Sequence, residues 1–246
     1  MPPLTEAEQE AYAWQLDIPG FGVAGQQKLK AATALVSRCG GLGGAVAYHL
    51  AAAGIGKLIL AHAGNLKPSD LNRQILMTHD WLGKPRVECA ARRLRELNPQ
   101  LEVVAVNANV AAENAAELIS PADLVFDCAP LFAERFAMNG ECVRQRKPMI
   151  EAGVFGLQGQ VTTIVPGITP CLACIYPEHP SAWKRRFPVL GAVAALAGAI
   201  AATEGIKVLT GIGETLQGTL LYFDAANMTF RRIAIARRAE CSVCGG

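Results

Sequence analysis

Two Cys-x-x-Cys pairs limit the possible folds of this chain more than any other feature. Cys171-Leu172-Ala173-Cys174 lies well inside the chain, and Cys241-Ser242-Val243-Cys244 lies at its end. Four thiolates presented from two tight knuckles can close a tetrahedral zinc site with no open position, which makes such a metal structural. The gap between the pairs is long for a small ribbon module. The expected site therefore clips the last residues to a loop far upstream within one domain. The alternatives are two unrelated pairs or one redox-active pair. Cys39, Cys89, Cys128 and Cys142 fall in strand or helix patterns and read as apolar packing residues.

Composition narrows the class. The 246 residues are 51% hydrophobic and 18% charged, enough to bury a sizeable core and too apolar for charge-driven disorder. A net charge of +2, from 23 Lys and Arg against 21 Asp and Glu, gives no footprint for a nucleic-acid or membrane partner. The first ten residues, Met1 to Glu10, are acidic and lack the basic start and apolar run of an export signal. A cytoplasmic, reducing compartment is expected, where paired cysteines point to metal. The longest apolar run, Phe187 to Thr203, contains Gly191 and Gly198. It falls short of the ~20 residues that span a bilayer and reads as a buried helix.

The order of elements predicts an α/β fold. After an arm (residues 1–31) with helix-like patches and a turn at Ile18-Pro19-Gly20-Phe21-Gly22, strands are expected at Ala32 to Ser37, Gly56 to Ala61, Leu101 to Val106 and Asp123 to Cys128. They alternate with helical stretches at Ala45 to Ala53, Arg86 to Leu97 and Leu131 to Arg146. Such βαβα order gives a Rossmann-like, mostly parallel sheet with helices on both faces. After Met149 the character changes. Gln160 to Val165, Thr219 to Phe223 and Met228 to Ala236 read as antiparallel strands extending that sheet, with a turn at Asp224-Ala225-Ala226-Asn227 and a small-residue helix at Gly191 to Leu209.

The first strand runs into Arg38-Cys39-Gly40-Gly41-Leu42-Gly43, which occupies a G-x-G-x-x-G frame with arginine at the first glycine. Glycines here let backbone N–H groups and a helix N-terminus approach a phosphate, or they serve tight strand–helix packing alone.

Together these residues resemble the ThiF/MoeB/HesA family, the bacterial relatives of ubiquitin-activating enzymes. The resemblance is carried by Gly22-Val23-Ala24-Gly25-Gln26-Gln27-Lys28-Leu29, Gly40-Gly41-Leu42-Gly43, Asp70-Leu71-Asn72-Arg73-Gln74, Leu97-Asn98-Pro99, Ala202-Thr203-Glu204-Gly205-Ile206-Lys207, Phe223-Asp224-Ala225 and the two cysteine knuckles, in order throughout. It implies one domain over residues 1–246, with a nucleotide-binding-like half (32–150) and a zinc-containing, carrier-binding-like half (151–246). It also implies a homodimer that binds ATP and Mg²⁺, holds a structural zinc and adenylates the Gly-Gly end of a ubiquitin-like sulfur carrier, which then becomes a thiocarboxylate.

Several family positions are replaced. His62 stands where the family has an Asp for the ribose hydroxyls, and Gly64 where a second acid sits. Arg86 stands for a phosphate-contacting lysine, Asp70 for a neutral Asn and Pro130 for the metal-holding Asp. Trp14 stands for the arginine that reaches the partner's triphosphate. No cysteine lies between Cys174 and Cys241, so the loop thiol of some members is absent, with Lys184, Arg185 and Arg186 nearby. Each lost electrostatic contact costs roughly 10²–10³-fold in an acyl-adenylate-forming site.

The expected candidate set is therefore Gly40, Gly41, Gly43, Arg38, Arg73 and Arg86 for a nucleotide or other anion, Cys171, Cys174, Cys241 and Cys244 for zinc, and no catalytic residue. The expected function is binding of a sulfur carrier or of an active relative, with ATP adenylation lost or attenuated. One alternative is a working adenylyltransferase in which the three arginines replace the usual phosphate contacts and Asp127 or Asp70 recruits magnesium. The other is a site for a different anionic ligand.

Overall fold

In the computed structural model, residues 1–178, 180 and 186–245 are described. Lys184 and Arg185 lie outside the described residues, as does the terminal Gly246. The arm forms α1 (Glu6–Ala11), α2 (Ala13–Leu16) and α3 (Gly22–Ala31). The alternating part follows as β1 (Thr33–Ser37), α4 (Gly41–Ala53), β2 (Lys57–Ala61), α5 (Arg86–Leu97), β3 (Glu102–Val106), α6 (Ala115–Ile119), β4 (Leu124–Asp127) and α7 (Phe132–Gln145). The rest is β5 (Met149–Phe155), β6 (Gln158–Ile164), α8 (Leu172–Ile175), α9 (Gly191–Thr210), β7 (Thr219–Asp224) and β8 (Thr229–Ala234).

All eight strands form one sheet in the order β3-β2-β1-β4-β5-β6-β7-β8. The pairings from β3 through β5 are parallel, and those from β5 through β8 are antiparallel. The expected α/β class is what is found. β5 is the strand that the sequence pattern hides. Its apolar run is interrupted by Glu151, which is fully buried and ion-paired to Arg135 at 2.8 Å.

Period-two alternation sorts the central strands between two cores. Ala34 and Val36 of β1 face one core with α3, α4, α5 and α9, while Leu35 faces the other with α6, α7, α8 and the cysteine knuckles. α9 is the one helix among the described residues long and apolar enough to cross a membrane. It packs into the first core through Val193, Ala197, Ala201 and Ala202, and its buried Glu204 accepts hydrogen bonds from Thr163 Oγ1 and Leu216 N, both at 2.7 Å.

The arm is tied down by the chemistry of a helix end. The last carbonyls of a helix lack intrahelical donors. Here Gln15 Nε2 and Gln26 Nε2 each donate to Ala53 O at 2.9 Å, and Asn98 Nδ2 donates to Ala51 O at 3.0 Å. Gln15 and two residues of the family-like motifs, Gln26 and Asn98, thus cap α4, and capping α4 fixes the helix whose other end faces the site.

Candidate functional site

The strand order reverses between β1 and β4, whose connections leave toward β2 and β5 respectively. In open α/β sheets such a switch point opens a crevice at the carboxyl ends of the strands. A cleft of about 1070 Å³ lies there, lined by Arg38, Gly40 and Leu42 after β1, His62 after β2, and Cys128 to Pro130 after β4. Arg73, Arg86 and Arg135 also line it, and Phe132, Phe155, Tyr176 and Phe187 form an aromatic end.

The glycines divide into two roles. Gly43 is needed for packing, since a Cβ there would sit 2.5 Å from Arg38 O and 3.0 Å from Cys128 Cβ. Gly40 is the N-cap of α4 and faces the cleft, its nearest neighbours being the side chains of Gln74 and His62. Gly41 lines the cleft between Arg73 and Ala194. Gly40 and Gly41 therefore present the N-terminus of α4 to any ligand, while Gly43 holds α4 against β1.

Of the three expected arginines, Arg73 and Arg86 converge on Asp70. Arg73 Nη2 and Arg86 Nη2 each lie 3.3 Å from its carboxylate, and Gln74 Nε2 donates to it at 3.0 Å. Arg86 Nη1 also lies 3.4 Å from His62 Nε2, and Cys39 Sγ lies 3.6 Å from His62 Nδ1. Arg38 turns the other way. Its Nε donates to Glu134 Oε2 at 2.7 Å and its Nη2 bonds the other carboxylate oxygen.

Asp127 sits at the end of β4, fully buried, with Arg135 Nε 3.1 Å from its Oδ2 and Ala129 N donating to its Oδ1 at 3.1 Å. Burial pushes its carboxyl up to about 6, against the Arg135 charge that lowers it and with the Glu151 charge that raises it further. Glu134, Arg135 and Glu151 were not among the expected site residues. Glu134 pairs with a residue 96 positions away, and Arg135 and Glu151 meet across separate elements, α7 and β5, so spacing gives no signal for these pairs. Cys128 packs against the first core as expected but is only half-buried and lines the cleft; Cys39, Cys89 and Cys142 are buried as expected.

At the far side of the second core the four expected cysteines meet. Their sulfurs all lie within 4.8 Å of one another, with Cys171 Sγ 3.7 Å from Cys241 Sγ and Cys174 Sγ 3.5 Å from Cys244 Sγ. Zn–S bonds of about 2.3 Å in a tetrahedron set S···S edges near ~3.8 Å, so the donor set fits a metal such as zinc. Arg238 N points at Cys174 Sγ at 3.4 Å. Asn139 of α7 accepts from Leu172 N at 2.8 Å and positions the first knuckle. The second knuckle closes on Gly245, where a Cβ would fall 2.4 Å from Cys241 O. That glycine belongs to the metal turn.

The comparisons agree with this architecture. The ThiF family model matches residues 12–243. The heterocyst HesA protein of Trichormus variabilis is 46% identical across 98% of this chain and 91% of its own length. The sulfur carrier protein adenylyltransferase of Thermus thermophilus is 35% identical across 98% of this chain and 92% of its own. The crystal structure of E. coli MccB with ATP superposes with a TM-score of 0.81 at 29% identity, covering 91% of this chain and 69% of that one. The cleft at the switch point, the four-thiol clip and the family match over nearly the whole chain lead to one conclusion: this protein belongs to the ThiF family and is related to its adenylyltransferases.

Proposed function

We propose that the cleft binds an adenine nucleotide against Gly40, Gly41, Arg73 and Arg86, that adenylation is attenuated, and that the protein acts mainly by binding a ubiquitin-like sulfur carrier or an active relative. One observation carries this reading. Among the described residues lining the cleft, Asp70 is the only carboxylate, and it is held by Arg73 and Arg86. A magnesium-dependent site needs acids turned toward the metal. Here Pro130 offers none, and Asp127 is buried against Arg135.

Cations exceed acids on the wall, with Arg38, Lys67, Arg73, Arg86, Arg135 and Arg186 against Asp70. The phosphates would be held by charge and by the N-terminus of α4. The likeness to MccB solved with ATP supports a nucleotide over another anion, and the curated adenylyltransferase relative supports a carrier as partner.

The four thiolates would hold a structural zinc, since all four positions are taken by sulfur. Free thiols throughout the described chain suit a cytoplasmic setting. Trp14, 94% exposed, and the exposed Ile18 and Val23 of the same arm are apolar side chains that a second copy would cover in a homodimer.

Calorimetric titration with ATP, with and without Mg²⁺, tests the nucleotide site, and pyrophosphate exchange with a Gly-Gly-ended carrier tests the chemistry. Binding is expected to change less than about threefold with magnesium, and exchange to lie at least 10²-fold below that of a relative with intact acids. Robust magnesium-dependent exchange overturns the reading.

A further inference from the structure

Tyr176 lies two residues past Cys174 of the first knuckle and lines the aromatic end of the cleft. Its ring packs edge-on against Phe132, with centroids 5.1 Å apart. Among the described residues its hydroxyl has one hydrogen-bond partner, Gln160 of β6, at 2.7 Å. The direction of that bond decides what the hydroxyl still has to offer.

Glu151 sets the direction. Its carboxylate is fully buried and ion-paired to Arg135 at 2.8 Å, so it accepts hydrogen bonds and gives none. Gln160 Nε2 lies 3.0 Å from Glu151 Oε1. The amide must turn its NH2 this way, because the flipped amide would set its carbonyl oxygen against a carboxylate. The second N–H of the same group then donates to Tyr176, and the hydroxyl is the acceptor. A phenol in the neutral range also carries one O–H of its own, and no described residue takes it. Tyr176 stands in the cleft wall with its acceptor side occupied and its donor unspent.

The walls around it limit what can meet that donor. Phe132, Phe155 and Phe187 make this end apolar, and Gly153 and Gly159 present no side chain. A slender, uncharged chain with carbonyl acceptors suits such a passage better than a phosphate does. Each carbonyl that leaves water there needs a donor, since an unmet acceptor costs its full desolvation.

We propose that Tyr176 is a carrier-binding residue: its hydroxyl donates to a backbone carbonyl of the carrier's Gly-Gly end as that end lies along the aromatic part of the cleft. This deepens the carrier reading above and rests on it.

The test uses Tyr176→Phe, which deletes the hydroxyl and keeps the ring. The probes are a labelled ten-residue peptide ending in Gly-Gly, the same peptide without the two glycines, and ATP. Affinities are read by fluorescence anisotropy for the peptides, with ATP present, and by calorimetry for ATP. The variant is expected to bind the Gly-Gly peptide about fivefold more weakly than the native chain does, with the shortened peptide and ATP unaffected. Equal affinity of both chains for the Gly-Gly peptide overturns the role of Tyr176 and leaves the carrier reading intact. So does an equal loss for the shortened peptide, which places the contact elsewhere, or a loss confined to ATP, which puts the base at the aromatic end. Failure of the native chain to bind the Gly-Gly peptide at all overturns both.

Discussion

The four-thiol clip and the switch-point cleft are built from the same sheet, yet they depend on their residues in opposite ways. In the clip, four identical donors converge, and each Cys-x-x-Cys knuckle sets its own local geometry. Its sulfur edges of 3.5 and 3.7 Å match what one tetrahedral ion needs. In the cleft, most of the charged side chains are paired within the protein. Arg38 holds Glu134, Arg73 and Arg86 hold Asp70, and Arg135 holds Asp127 and Glu151. A site specified by donor type survives as long as its donors do. A site specified by charge depends also on the partners that each charge takes inside the protein, and these are set by the fold rather than by the donor type.

Removing a clip ligand gives the largest expected change. Cys244→Ser leaves three thiolates for a site whose folding energy comes from closing all four. Bound zinc is expected to fall from about one per chain to well below half, and the melting temperature by about 15 °C, at ~2–4 °C per kcal/mol for a chain of this size. Metal analysis alongside differential scanning calorimetry reads both. Protein purified under reducing conditions that carries no zinc would end the structural account of these cysteines.

Arg135→Met probes the other region by the same route and is expected to cost less. It strips the cation from two fully buried carboxylates, Asp127 and Glu151. Breaking a buried pair by removing one partner costs about 3–5 kcal/mol, or about 10 °C here. Zinc content is expected to stay unchanged. If the metal were lost as well, the two regions would not be independent, and the contrast drawn between them would fail.

Legibility in the sequence follows the same division. The first four strands, the helix of small residues and the metal knuckles could be read because periodicity and spacing are local properties. The motif residues Gln26 and Asn98 marked a resemblance, but their physical task emerged only with α4 in place to supply Ala53 O and Ala51 O. β5 was missed because Glu151 reads as a surface residue until Arg135 is brought to it. Arg38 was expected to face an anion. Its partner, Glu134, lies 96 residues away, and no pattern in either segment announces the pairing.

The smallest expected effect concerns Asp127 and decides whether burial or the Arg135 charge governs its titration. Its carboxyl is pushed up to about 6 by burial, despite Arg135, from ~4 in an unfolded chain. Between these values the folded state holds the proton more tightly than the unfolded state. Stability contributed by this group is therefore full below about pH 4 and declines as pH rises through about 6. Asp127→Asn removes that titration. Urea denaturation at pH 4.5 and 6.5 should then show the variant gaining on the native protein by about 1 kcal/mol between the two, less than the full shift implies because Arg135 and Glu151 share the charge. The opposite trend, with the variant losing ground as pH rises, would mean that the Arg135 pair outweighs burial. Asp127 would then be ionised already in the mildly acidic range, held at the end of β4 by Arg135.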